Sequence, residues 1–171
     1  MGRKSKIKGK VYERKVASIL RERFPELAED IRRSIQSRGA EESDVAGLPH
    51  LWIECQDAQQ PTPLSKLEQA EHDYGVCEGL EGLNCIAVTH KLLARTHQVT
   101  MRSYTYLKLV TGREEAAKSV NTKVLFSIVT VDLADFLDIY ESYLHKVRLA
   151  EVMKSGTEVA ADEKTDHERV I

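Results

Sequence analysis

No apolar run in this chain approaches the roughly 18–20 residues that a membrane-spanning helix requires. The basic start, Met1-Gly2-Arg3-Lys4-Ser5-Lys6-Ile7-Lys8, is followed by no apolar segment of the kind a secretory signal carries. Cysteine is scarce: Cys55, Cys77 and Cys85 make three, with no close pair spacing. An odd set of that kind argues against a disulfide framework and against a zinc ribbon. Internal repeats and low-complexity tracts are absent, which excludes a repeat architecture. These absences lead us to expect a soluble chain in the cytoplasm of a bacterial, archaeal or virus-infected host cell.

What is present is enough chain, 171 residues, to bury a real core without staples. Charge nearly balances overall but is unevenly spread. Residues 1–38 hold twelve Lys or Arg against five Asp or Glu, residues 39–150 ten against sixteen, and residues 151–171 three against six. A basic binding face on an acidic body accounts for that asymmetry, and a solvated basic N-terminus accounts for it equally. We expect a flexible basic arm over 1–8, one folded domain over 9–147 and an acidic, partly disordered tail over 148–171.

The spacing predicts a helix over 9–24, stopped by Pro25, with Val16, Ala17, Leu20 and Phe24 on its apolar face. Glu13 falls on that same face. A carboxylate there is costly unless paired or bound to a metal, and an arginine such as Arg32 or Arg33 is the plainer partner. A first strand is expected over 31–36. A helix over 64–77 turns Leu64, Leu67, Ala70, Tyr74 and Cys77 inward and sets Lys66, Gln69 and Asp73 on another face. Strands over 83–89, 98–102 and 124–131 follow, with a short helix over 104–110 and a polar loop over 112–123. A last helix over 132–147 buries Leu133, Phe136, Leu137, Tyr140 and Leu144. This order predicts an α/β (α+β) fold: a central mixed sheet with helices on both sides.

The stretch from Asp44 to Gln56 organises the rest. Gly47 to His50 supply a turn, and Leu51 to Gln56 alternate like a half-buried strand. Leu51, Ile53 and Cys55 point one way; Trp52, Glu54 and Gln56 point the other. In a hairpin symmetric about Pro49, Asp44 opposes Glu54. Opposed side chains lie about 4.5–5.5 Å apart, and like charges there destabilise a sheet. A divalent cation is the best reason to face two carboxylates at each other. With Glu13 as a third acid, the oxygen-only donor set suits Mg²⁺ or Mn²⁺, whose remaining positions go to waters and a substrate phosphate. Such a site is commonly used to hydrolyse a phosphodiester. Gln56 shares the Glu54 face, placed to orient a water or to touch the phosphate. Trp52 is expected to pack against the first helix and Cys55 to be a small core residue. His50 is expected exposed, and His72, His90 and His97, which lack ligand-like spacing, receive no role.

The spacing Asp-x9-Glu, preceded by a glutamate in the first helix, resembles the PD-(D/E)XK nuclease superfamily. Five stretches are similar to its archaeal and phage Holliday junction resolvase-like branch: Gly9-x-x-Tyr12-Glu13-Arg14, the Arg-rich segment before the hairpin, Ser43-Asp44-Val45-Ala46-Gly47, Trp52-Ile53-Glu54-Cys55 and the helix with Leu67-Glu68-Gln69-Ala70. The likeness covers about residues 9–103. It implies a restriction-endonuclease-like core and a Mg²⁺- or Mn²⁺-dependent DNA endonuclease. Asp44, Glu54 and the backbone carbonyl of Cys55 would be metal ligands, and Glu13 would ligate directly or through water. The chain departs from the pattern at Gln56, which stands where the family has lysine. Lys66 either delivers that charge from the next helix or is a solvated helix lysine. Arg32, Arg33 and Arg38, with Lys8, Lys10, Arg14 and Gln69, are candidate DNA contacts, and salt bridges to the acidic body are the alternative for the arginines. Symmetric cutting of a branched DNA by a one-site chain implies a homodimer. Three alternatives stand beside this: another PD-(D/E)XK nuclease of restriction or flap type, a catalytically impaired DNA-binding relative, and an α/β interaction protein whose acids form surface pairs.

Overall fold

Lysine, arginine and alanine favour helix, and nothing before Pro25 interrupts the first one. The computed structural model describes residues 3–34, 42–76, 84–113 and 127–167. In it, helix α1 spans Arg3–Arg23. The segment expected as a flexible arm is therefore helical backbone from Arg3 on; Gly9 weakens that helix without ending it. The Phe24 N–H still donates to the Leu20 carbonyl at 2.9 Å, and Pro25 then opens a 3₁₀ turn over Pro25–Leu27. The cysteine at 77, Arg38 and most of the 112–123 loop lie outside the described residues.

Strands β1 (Arg32–Arg33), β2 (Val45–Ala46) and β3 (Leu51–Ala58) come next, then α2 (Pro63–Val76) and β4 (Asn84–Lys91). They are followed by β5 (Gln98–Arg102), α3 (Ser103–Thr111), β6 (Ile128–Asp132) and α4 (Leu133–His167). The six strands form one sheet in chain order. Neighbours pair antiparallel except β3 and β4, which run parallel because α2 carries the chain back between them. The class is α+β, a mixed sheet flanked by helices, as the periodicity indicated. Among the described residues, no helix is long and apolar enough to cross a membrane.

The side-chain alternation of β3 divides the core. Leu51, Ile53 and Cys55, with Ile86 and Val88 of β4, pack under α1 and α4 against Val16, Leu20, Phe24, Phe136 and Tyr140. Trp52, Cys85 and Ala87 face the other way, against Leu67 and Ala70 of α2. Two corrections follow. The strand is buried on both faces rather than half-buried, because helices cover both sides of its parallel pairing. Trp52 packs in the α2 layer, its ring 6.2 Å from that of Tyr74, and not against α1, which covers the odd-numbered face.

Val45 pairs with Ile53, so the same register carried one residue outward sets Asp44 opposite Glu54. The turn between these strands is tightly held. Gly47 has φ +102°, and a Cβ there would lie 2.1 Å from the Asp30 carbonyl oxygen. Only glycine fits that approach. The Tyr140 hydroxyl donates to the Pro49 carbonyl at 2.6 Å, and the Asn84 side chain donates to the His50 carbonyl at 3.0 Å. The last helix runs well beyond the expected end at 147: Val147 is the last residue packed on the core, residues 148–153 are exposed, and helical backbone continues to His167.

Candidate functional site

Strand β2 ends as β3 continues, and the backbone ladder between them opens at Asp44. The Asp44 carbonyl accepts from the Ser34 N–H at 3.1 Å, which ties it to the end of β1. Its side chain replaces the missing ladder bond: Oδ2 accepts from the Cys55 N–H at 2.9 Å. A residue's N–H and C=O leave a strand on the same side, so the Cys55 carbonyl also faces this opening. Glu54 lies beside it on the α2 face. Asp44 is 4 % exposed and Glu54 3 %.

Lys66, one turn into α2, answers both acids. Its Nζ lies 3.2 Å from Glu54 Oε2 and 4.0 Å from Asp44 Oδ2. It is therefore not a solvated helix lysine. Two carboxylates still share one cation. Burial, and then the Asp44 charge, push the Glu54 carboxyl up to about 8, against the opposing pull of Lys66. Near neutral pH Glu54 thus holds its proton beside Lys66.

Glu13 reaches the same neighbourhood from α1 but turns to Arg33, whose Nε donates to its Oε2 at 2.5 Å. Burial and Asp44 raise its carboxyl, while Arg33 and Lys66 hold it down. Among the described residues no three His, Cys, Asp or Glu side chains form a group able to hold a metal. The three acids expected together are thus arranged as a pair plus an arginine-bound third, the plainer alternative for Glu13.

Gln56 is occupied elsewhere. Its Oε1 accepts from the Thr62 N–H at 2.7 Å and its Nε2 donates to Thr62 Oγ1 at 3.2 Å. The Thr62 carbonyl accepts from the Lys66 N–H at 3.1 Å, so Gln56 secures the turn from which α2, and with it Lys66, departs. The other end of α2 is held by Arg102 of β5, which donates twice to Glu71 at 2.7 Å.

The candidate DNA contacts scatter. Lys10 and Arg14 are exposed on α1. Lys8 pairs with Asp57 at 3.5 Å and Arg32 with Glu42 at 2.9 Å. Gln69 faces Lys66 and Asp73 rather than open solvent alone.

One group escaped sequence reasoning. At the far end of β3, Asp57 pairs in register with His90 of β4, and His90 Nδ1 lies 3.0 Å from Asp57 Oδ1. The His90 and His97 rings stand 4.7 Å apart, and both stack near Tyr12. The Tyr12 hydroxyl, its pKa raised chiefly by burial, keeps its proton and lies 2.9 Å from His97 Nδ1. The available signal was Asp57 itself, a carboxylate two residues after Cys55 on the apolar face of β3; His90 required the parallel register, which spacing does not reveal. The chain has no significant match among protein-family models, curated proteins or solved structures.

Proposed function

We propose that this chain is a metal-dependent DNA endonuclease with a restriction-endonuclease-like core, and that its substrate is a four-way junction cut by a homodimer in the cytoplasm. The observation that carries the proposal is the buried Asp44–Glu54 pair with Lys66 as its shared cation. A core does not retain two facing carboxylates for stability, since burial penalises each charge and each penalises the other. The helix glutamate, the Asp strand, the Glu strand and the following helix also meet in the order that the resemblance requires.

The donors fit the cation. Asp44, Glu54 and the Cys55 carbonyl offer hard oxygen atoms only, the chemistry of Mg²⁺ or Mn²⁺ rather than of zinc. A bound Mg²⁺ polarises a phosphodiester and lowers the pKa of an attacking water. Asp44 and Glu54 would hold it, with Glu54 giving up its proton. Glu13, already engaged by Arg33, would act through water. Lys66 supplies the positive charge that Gln56 lacks, and Gln56 fixes the approach of α2. Lys10 and Arg14, exposed on α1, with Arg32, would meet flanking phosphates.

The test uses labelled four-way junction, flap and linear duplex, each with Mg²⁺ or Mn²⁺. Paired symmetric nicks confined to the junction are expected. Cleavage of flap or linear duplex instead would assign a different nuclease of the same type. Cleavage unaffected by Asp44→Asn would sink the site assignment. The engagement of Gln56 with Thr62 favours one second reading, a DNA-binding relative with impaired cleavage; binding without cutting, with cutting restored by Gln56→Lys, would select it.

A further inference from the structure

Lys66, Gln69 and Asp73 stand at i, i+3 and i+7 of α2, one stripe of the helix. Their side chains form a directed chain. Lys66 Nζ donates to Glu54 Oε2 at 3.2 Å and to Gln69 Oε1 at 3.0 Å. Gln69 Nε2 in turn donates to Asp73 Oδ2 at 3.3 Å. An amide has one accepting and one donating end, whereas an ionised carboxylate only accepts. Asp73 therefore decides which way the Gln69 amide faces, and it turns the oxygen toward the ammonium. With the amide reversed, its NH₂ would confront Lys66 and no bond would form.

From this geometry we infer that Gln69 and Asp73 are positioning residues that hold the Lys66 ammonium against the Asp44–Glu54 pair. A free lysine has four rotatable side-chain bonds and many places to put its charge. Glu54 alone leaves the ammonium two unused donors; Gln69 takes one of them, so the nitrogen is held by two acceptors on different elements. Gln69 is accordingly part of the site's support and not a contact to DNA. The consequence for catalysis rests on the nuclease proposal, but the placement of Lys66 does not.

The experiment is reductive methylation of the full chain with formaldehyde, with the rate at each lysine read by mass spectrometry. Lys146, whose Nζ donates to the Val110 carbonyl at 2.6 Å, serves as an internal control. Gln69→Leu removes the acceptor and is expected to raise Lys66 reactivity about fivefold; Asp73→Asn, which releases the amide to turn over, raises it about twofold. Gln69→Glu retains an accepting oxygen and keeps Lys66 protected. A rise at Lys66 with Lys146 unchanged carries the inference; an unchanged Lys66, or an equal rise at both, overturns it. In junction cleavage, Gln69→Leu is expected to slow the wild type but to add nothing to Lys66→Met, because its whole effect passes through the lysine. A freed Lys66 in a protein that never cuts leaves the positioning intact and removes the nuclease proposal; cutting with an unmoved Lys66 does the reverse.

Discussion

Strand β3 carries two carboxylates three residues apart, Glu54 and Asp57, which face opposite sides of the sheet and live by opposite rules. Asp57 is met by Lys8 and His90, two partners for one acid. Glu54 and Asp44 both face one lysine, Lys66. Around Asp57 the neighbours compensate the charge, and the group fastens α1 to the ends of β3 and β4. Around Glu54, burial and the neighbouring Asp44 oppose ionisation against the pull of Lys66, so the carboxyl holds its proton near neutral pH. Paired ionic groups in a fold are consistent with fastening; a buried carboxyl that holds its proton far above its ordinary range is a candidate for chemistry.

Exchanging each acid for its amide gives the largest expected contrast. Asp44→Asn keeps the shape but removes the charge that, on the nuclease proposal, would hold the cation, and cleavage is expected to fall by about a thousandfold. Asp57→Asn is expected to leave cleavage within about threefold of wild type and to lower stability by about 1 kcal/mol, the scale of a partly exposed charged hydrogen bond. Junction cleavage and urea unfolding, run on both variants, check the pair. Equal losses of cleavage would erase the distinction between the two ends of β3.

Stability against pH sharpens it further. The folded-state carboxyl of Glu54 lies at about 8, above an ordinary glutamate. The native state then binds more protons than the unfolded chain between the ordinary value and about 8, so stability falls as pH rises through that window. Glu54→Gln cannot ionise and escapes the loss. At about pH 8 it is expected to be more stable than wild type by on the order of 2 kcal/mol, with the difference closing toward about pH 5. A variant less stable than wild type at both ends would mean that the carboxylate stabilises the fold and is not held there against it. Adding Mg²⁺ or Mn²⁺ should narrow the gap at high pH, because a cation bound only to the native state stabilises it.

The legibility of these two regions in the sequence differs for a physical reason. The hairpin is local: turn residues at 47–50 and period-two alternation fix its register, so Asp44 opposite Glu54 follows from the chain alone. The inward face of the last helix is local too, and Leu133, Phe136, Leu137, Tyr140 and Leu144 are all buried. Contacts between distant segments are not local. The pairing of Asp57 with His90 depends on a parallel register set by the α2 crossover. Glu13 meeting Arg33 was foreseen as one of two choices; Gln56 turning to Thr62 was not, because a loop with two prolines conceals where its threonine points. Likewise helix periodicity puts Lys66, Gln69 and Asp73 on one face and leaves open whether that face looks at the acids or at solvent.

The smallest expected effect lies at the Asp57 end and has the opposite sign. His97 is held below the usual histidine range, first by burial and then by the positive charges of Lys15 and His90, with Asp57 pulling the other way. Its Nδ1 shares a hydrogen bond with the Tyr12 hydroxyl. A base with a lowered folded-state pKa binds fewer protons in the native state than in the unfolded chain. Stability from this group is therefore intact above the ordinary histidine value and is lost as pH falls through it. His97→Gln, which retains a hydrogen-bonding partner for the Tyr12 hydroxyl and does not titrate, is expected to flatten the acid limb of the stability curve and leave the alkaline limb unchanged. Glu54→Gln should do the converse. Urea titrations of both single variants and of the double variant, from about pH 5 to pH 8, check this, since the two sites lie on opposite faces of β3 and share no partner, so their effects should add. If His97→Gln instead altered the alkaline limb, the two ends of the strand would be coupled, and the separation of a fastening end from a chemical end would fail.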